Sequence, residues 1–229
     1  RDVAPEVADL PEERIRMELE KALVQGDPPS KFFDVLASVD ALEVAFPRIA
    51  HMRDIPAGPE EHHGEGSAFR HTMMVLDEMN AIRPDDELGL LMALAHDVGK
   101  LRTPEGDLPA HHGHGKEGVP VIEEMASRLR LSNEQVRAMK EGARQHMRLK
   151  NVRQMNEATA FDTLKQIRHP QRIAALMVAD AWGREPEGDF PILSLVAKFK
   201  RHLRAQWQSG LRRSRPWCDE HASEPCRRD

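Results

Sequence analysis

The sequence predicts an all-α protein, and three observations carry that reading. Aromatic residues are only 4% of the 229 and tyrosine is absent, whereas a β-sandwich would draw on alternating β-branched and aromatic residues. The apolar content comes mostly from Leu, Ala, Met, Val and Ile. Apolar positions recur at helical spacing, broken by clusters of Gly and Pro. A chain of this length holds one large domain, or one domain with appendages, and can bury a substantial core.

Taken in order, residues 9–24 read as a charged amphipathic helix, with Asp9 as its cap and Pro11 in its first turn. Gly26-Asp27-Pro28-Pro29 ends it. A second helix is expected over 30–41, offering Phe32, Phe33, Val35, Leu36 and Val39 to the core. Residues 52–68, rich in Gly, Pro and Glu, should form a loop. Helix resumes at His71, with Met74, Val75, Met79 and Ile82 on one face. Residues 87–98 are apolar nearly all round and predict a buried helix that stops at Gly99. A Gly/Pro/His loop spans 102–115, and further helices are expected at 116–130, 133–148, 157–167 and 170–182. The resulting organisation is a helical arm at 1–60, a body at 61–190 and a basic tail at 191–229, the tail expected to be partly disordered.

The formal net charge of −5 gives no whole-chain signature of nucleic-acid binding. The charge is uneven, however. Residues 190–218 carry seven basic side chains and no acid, leaving 26 basic against 38 acidic elsewhere. Lys198, Arg201 and Arg204 in this run are candidates for contacting RNA phosphates, with Trp207 and Trp217 placed to stack on bases. A solubilising basic tail has the same appearance. Cys218 and Cys226 both lie in the tail, which excludes a disulfide framework for the body and fits a cytoplasmic setting. With His221 they lack the spacing and the fourth ligand of a structural zinc site. No apolar stretch approaches 18 residues, so no membrane span, membrane partner or signal peptide is expected. The first residue is Arg rather than Met, as in a piece of a longer polypeptide.

Chemistry concentrates in the histidines, eight of the twelve falling between His62 and His146. A buried imidazole needs hydrogen-bond partners, so packing alone does not explain the cluster; for His62, His63 and His111 exposure on loops would. His96-Asp97 ends the helix that runs through Leu-Leu-Met-Ala-Leu-Ala. Two ionisable groups side by side on an apolar helix require compensation. A divalent cation supplies it, because neighbouring residues about 100° apart can both reach a metal off the helix end. A buried His–Asp hydrogen bond without metal is the other solution. Asp180 repeats the pattern in Ile-Ala-Ala-Leu-Met-Val-Ala-Asp-Ala-Trp-Gly, where a lone carboxylate must be paired, protonated or ligating. His71 opens a further apolar helix. Two imidazoles and two carboxylates suit Mn, Fe, Co, Ni or Zn better than Mg.

The order His71, His96-Asp97, Asp180, with Asp97-Val98-Gly99-Lys100, resembles the HD superfamily of metal-dependent phosphohydrolases. Within it, four segments are similar to the C-terminal HD domain of bacterial multifunctional CCA-adding enzymes, a family of tRNA nucleotidyltransferases. They are Phe69-Arg70-His71-Thr72-Met73-Met74, His96-Asp97-Val98-Gly99-Lys100, His111-His112-Gly113-His114-Gly115 and Ala179-Asp180-Ala181-Trp182-Gly183-Arg184. The stretch 10–47 looks like the helical segment preceding that domain. The resemblance covers residues 9 to 190 and implies an HD helical bundle with phosphatase, 2′-nucleotidase and 2′,3′-cyclic phosphodiesterase activities on nucleotides or RNA ends. His114 and His146 match histidines of the family's extended site. With His112, they are candidates for binding a second metal or the phosphate. Lys100, His114 and His146 are the catalytic candidates, supplying positive charge or a proton to the leaving oxygen. For Lys100 the alternative is a solvated helix-terminal lysine. The family's nucleotidyltransferase head has no counterpart here, so CCA addition by this chain alone is not expected. Three other readings stay open: a nucleotidase of free nucleotides, a catalytically silent tRNA-binding scaffold, and the C-terminal part of a CCA-adding enzyme.

Overall fold

A computed structural model describes residues 4–150 and 155–184, and every element in it is helical apart from one isolated bridge between Pro56 and Ser67. The elements are α1 (Ala4–Ala8), α2 (Glu12–Gln25), α3 (Ser30–Ser38), α4 (Leu42–Ala45), α5 (Pro47–His51), α6 (Ala68–Ile82), α7 (Glu87–Ala95), α8 (His114–Leu129), α9 (Asn133–Lys150), α10 (Glu157–Lys165) and α11 (Pro170–Trp182). Short 3₁₀ turns at Met52–Asp54, Glu60–His62, Val98–Arg102 and Glu105–Asp107 punctuate the loops. The all-α expectation holds. Residues 185–229 lie outside the described residues, and with them the basic run and the candidates Lys198, Arg201 and Arg204.

α7 is the hub. Its sequence, Glu-Leu-Gly-Leu-Leu-Met-Ala-Leu-Ala, has no polar face beyond the first turn, and Leu90, Leu91, Met92 and Leu94 are all buried. A helix apolar on every side must be surrounded. It contacts α2, α6, α9 and α11. α8 lies antiparallel beside α9 and against the Val98–Arg102 turn, while α11 packs on α6. The ends of α6, α7, α8, α9 and α11 are thereby brought to one region.

Several local expectations are corrected. Asp9 does not cap α2: Pro11 occupies that position and its carbonyl accepts from Arg14 and Ile15, while Asp9 sits in the turn after α1. The helix expected over 30–41 ends at Ser38, because Asp40 adopts a left-handed conformation (φ 55°) that turns the chain into α4. Val35, offered to the core, lies on the outer face of α3 and is 57% exposed. The start of α3 is capped from a distance, as Ser30 N and Oγ donate to the Asp77 carboxylate of α6 at 3.0 and 2.6 Å. α6 begins three residues before His71, with Ser67 Oγ accepting from Arg70 N. α7 ends at Ala95, not at Gly99. Gly99 lies inside the 3₁₀ turn, where a Cβ would collide with the carbonyl of His114 and the amide of Gly118.

Asp86 holds the other end of α7. It accepts from Gly89 N at the helix start, from Arg83 Nε at 2.6 Å and from Arg172 Nε of α11 at 2.7 Å. Burial pushes its carboxyl up, but the two guanidinium groups outweigh that and leave it below its ordinary value. Asp86→Ala is expected to cost about 2 kcal/mol, a cap plus charge-assisted bonds, measured by urea unfolding at pH 7. Because the folded-state pKa is depressed, this contribution is complete above the unfolded value of about 4 and disappears as pH falls through the folded value. The stability gap between wild type and variant should therefore close below about pH 4.

Candidate metal centre

The site forms where helix ends meet. His71 sits in the first turn of α6, His96 is the C-terminal cap of α7, and Asp97 follows in a non-helical conformation (φ −111°, ψ 6°) that swings its side chain off the helix axis. His114 opens α8, His146 lies in the last turns of α9, and Asp180 is near the end of α11. All six are buried, with His71, His96 and His146 fully so.

Asp97 joins two histidine groups, one through each carboxylate oxygen. Its Oδ2 lies 3.3 Å from His96 Nε2 and 3.5 Å from His71 Nε2. Its Oδ1 lies 3.0 Å from His114 Nε2 and 3.4 Å from His146 Nε2. Asp180 Oδ1 approaches His71 Nε2 to 3.2 Å, so the sequence-derived set of His71, His96, Asp97 and Asp180 is brought together. The ligand atoms of His71, His96 and Asp97, and those of Asp97, His114 and His146, lie close enough within each trio to share a cation. His112 does not join them. It is exposed and outside these groups.

The ring tautomers show what the cluster suits. His96 Nδ1 donates to Ala93 O (2.7 Å), His114 Nδ1 to His111 O (2.7 Å), His146 Nδ1 to Gly142 O (3.0 Å) and His71 Nδ1 to Gly183 O (2.9 Å). With Nδ1 carrying the hydrogen in each neutral ring, four Nε2 lone pairs converge on carboxylate oxygens. His71 Nε2 and His96 Nε2 are buried and make no hydrogen bond. His114 Nε2 and His146 Nε2 face each other at 3.2 Å. Lone pairs aimed at one another and at carboxylates repel unless protons or cations lie between them. The donor set of imidazole nitrogen and carboxylate oxygen is that of a divalent transition metal, and the residues fit one.

Charges balance in the same way. Burial pushes the Asp97 carboxyl up, but His96, Lys100 and His114 hold it well below the ordinary carboxylate range. Burial pushes the His71 imidazole down, and the Asp180 and Glu65 carboxylates beside it reverse this, leaving it raised. Lys100 is not a solvated helix-terminal lysine. It is 4% exposed, and its Nζ is 2.6 Å from Asp97 Oδ2 and bonded to Ala57 O. His111, one of the expected loop histidines, pins its loop instead, with Nδ1 facing Thr103 Oγ1 and Nε2 facing Pro56 O. Burial lowers its pKa.

Two neighbours escaped the sequence reading. Glu65 is a buried carboxylate in the Gly-rich loop before α6, with Oε1 3.0 Å from His71 Nδ1 and 2.6 Å from His63 Nδ1. A glutamate among glycines reads as solvated, and no periodicity marks it. Arg184 reaches back one turn, donating to Asp180 O at 3.0 Å and Oδ1 at 2.9 Å. Its i,i+4 spacing from Asp180 was the available signal.

Comparison with known proteins agrees with this geometry. The chain is 36% identical over 185 residues to the "Multifunctional CCA protein" of Shewanella denitrificans, covering 78% of this chain and 44% of that protein. It is 36% identical over 176 residues to the "Multifunctional CCA protein" of Shewanella frigidimarina, covering 76% and 42%. The chain thus spans under half the length of these relatives. Residues 1–52, which include α1 to α5, match a family model described as "Probable RNA and SrmB- binding site of polymerase A". Residues 68–198 match the HD domain model, from the first residue of α6 through all six clustered side chains. With more than half of its residues in that match, and the paired His-Asp at its centre, the chain belongs to the HD domain family.

Proposed function

We propose that this chain is a metal-dependent phosphohydrolase acting on phosphomonoesters or 2′,3′-cyclic phosphodiesters of nucleotides or RNA ends. One observation carries the reading: Asp97 offers one oxygen to His71 and His96 and the other to His114 and His146. His71, His96, Asp97 and Asp180 would hold one divalent cation, and Asp97, His114 and His146 would hold a second. Divalent transition metals bound there would lower the pKa of a coordinated water and neutralise charge developing on phosphorus.

The protein's own groups do the rest. Lys100 keeps Asp97 ionised inside the core, so both of its oxygens remain donors. The carbonyl partners of the four histidines keep every Nε2 pointing inward. Arg184, half-buried, holds Asp180 through two bonds and leaves positive charge beside the site for a phosphate oxygen. An RNA end as substrate is supported by the RNA-binding model over residues 1–52 and by the similarity to multifunctional CCA proteins.

The test is hydrolysis of 4-nitrophenyl phosphate and 2′,3′-cAMP by metal-stripped protein re-supplied in turn with Mg, Mn, Co, Ni and Zn. We expect a transition metal to restore activity and His71→Ala to reduce it by about a hundredfold or more. Folded protein that hydrolyses neither substrate with any metal would leave a binding scaffold as the better account.

A further inference from the structure

A buried carboxylate behind a metal-facing histidine is the most informative feature not absorbed by the site itself. Glu65 has a fully buried side chain, in a loop held down by the Pro56–Ser67 bridge, Ala57 N to Gly66 O (2.9 Å) and Ala68 N to Ile55 O (2.8 Å). Leaving a carboxylate out of water costs several kcal/mol unless it is compensated. Here the compensation consists partly of two imidazoles, His63 Nδ1 at 2.6 Å and His71 Nδ1 at 3.0 Å, both on Oε1. The loop is anchored so that the acid reaches the back of His71.

We propose that Glu65 is a positioning residue for the metal centre, acting on the metal through His71 rather than touching it. This rests on the metal-centre reading above. His71 Nδ1–H is shared between Gly183 O and Glu65 Oε1, so the ring is clamped by two acceptors instead of one. The carbonyl fixes which nitrogen carries the hydrogen. The carboxylate adds negative charge along the axis of the ring, making Nε2 a stronger electron-pair donor on the side that faces Asp97 and Asp180. His63 stands edge-on to His71, with ring centroids 5.3 Å apart, and holds Glu65 from the other side. The outcome is a line of three side chains, His63, Glu65 and His71, ending at the first cation position. His96, His114 and His146 place Nδ1 on main-chain carbonyls, whereas His71 Nδ1 meets a buried acid as well as a carbonyl.

The experiment compares wild type, Glu65→Gln and His63→Ala, each metal-stripped and titrated with Co²⁺ alone. Calorimetry gives the affinity, and the visible absorption of bound cobalt reports the ligand field. Glu65→Gln keeps the size of the side chain and one acceptor oxygen, so unchanged thermal unfolding would separate charge from packing. We expect it to bind Co²⁺ roughly 10- to 100-fold more weakly, with a shifted cobalt spectrum. The Nδ1–H proton resonance of His71 should move upfield as the charge-assisted bond is lost. His63→Ala, which leaves Glu65 on His71, should weaken binding by less than Glu65→Gln does. Should Glu65→Gln fail to fold, the spectrum and affinity of His63→Ala decide: no change in either overturns the proposal. Equal affinity and spectrum for wild type and folded Glu65→Gln overturn it while leaving the metal centre intact. Failure of the wild type to bind Co²⁺ overturns both.

Discussion

Asp97→Asn is expected to lower kcat/KM for phosphoester hydrolysis by about a thousandfold, roughly 4 kcal/mol of transition-state stabilisation. The size follows from position. The two oxygens of Asp97 serve both histidine groups, so its amide replacement weakens two cation positions at once. Metal content of the purified variant, measured by elemental analysis, should fall with activity. Both this variant and Asp97→Ala have a second consequence. Lys100, only 4% exposed, would keep its bond to Ala57 O but lose the carboxylate charge at 2.6 Å. Orphaning one member of a buried pair costs about 3–5 kcal/mol. Both variants should therefore melt well below wild type, with Asp97→Ala the lower because it also removes the acceptor oxygen that the amide retains. Equal activity of Asp97→Asn and wild type, both metal-loaded, would refute the shared-carboxylate reading.

Gly99→Ala is the second large effect, and it links stability to the site. The 3₁₀ turn Val98–Arg102 packs main chain to main chain against the start of α8. A methyl group at Gly99 would overlap the carbonyl of His114 and the amide of Gly118, neither of which can move without moving the helix. Overpacking of this kind costs about 3 kcal/mol, or roughly 6–12 °C in Tm for a domain of this size. The displacement falls on the residue that brings Nε2 to within 3.0 Å of Asp97 Oδ1. The variant should lose cation binding at the His114–His146 side before it loses the His71–His96 side, resolved as a change from two equivalents of bound metal to one. A stable variant with both equivalents would show that the contact relaxes.

The central pair was legible in the sequence for a physical reason. A charged residue on an apolar helix is costly, so His96, Asp97 and Asp180 announced themselves by their surroundings, and the geometry brings them together with His71. The helix positions were legible from periodicity, with α8 to α11 starting within two residues of expectation. What stayed hidden depends on tertiary approach. Nothing local says that Lys100 folds inward, since lysine at a helix end is ordinarily solvated. Gly99 has the composition of a helix stop and serves instead as a contact surface. The cap on α3 comes from Asp77, 47 positions along the chain from Ser30. Glu65 sits in a segment whose composition says only that it is a loop.

The main-chain carbonyls behind the histidines have a consequence for how this centre could be altered. Ala93, His111, Gly142 and Gly183 each contribute an oxygen that no side-chain replacement removes. The aim of the four imidazoles is thus recorded in the path of the backbone rather than in the identity of nearby residues. Substitutions around the centre that preserve helical geometry and spare Glu65 and Gly99 leave that aim untouched, so the rest of the shell is free to be redesigned for a new substrate. A proline or an inserted residue in α7, α8 or α9 would be read out at the metal, however far from it the change was made.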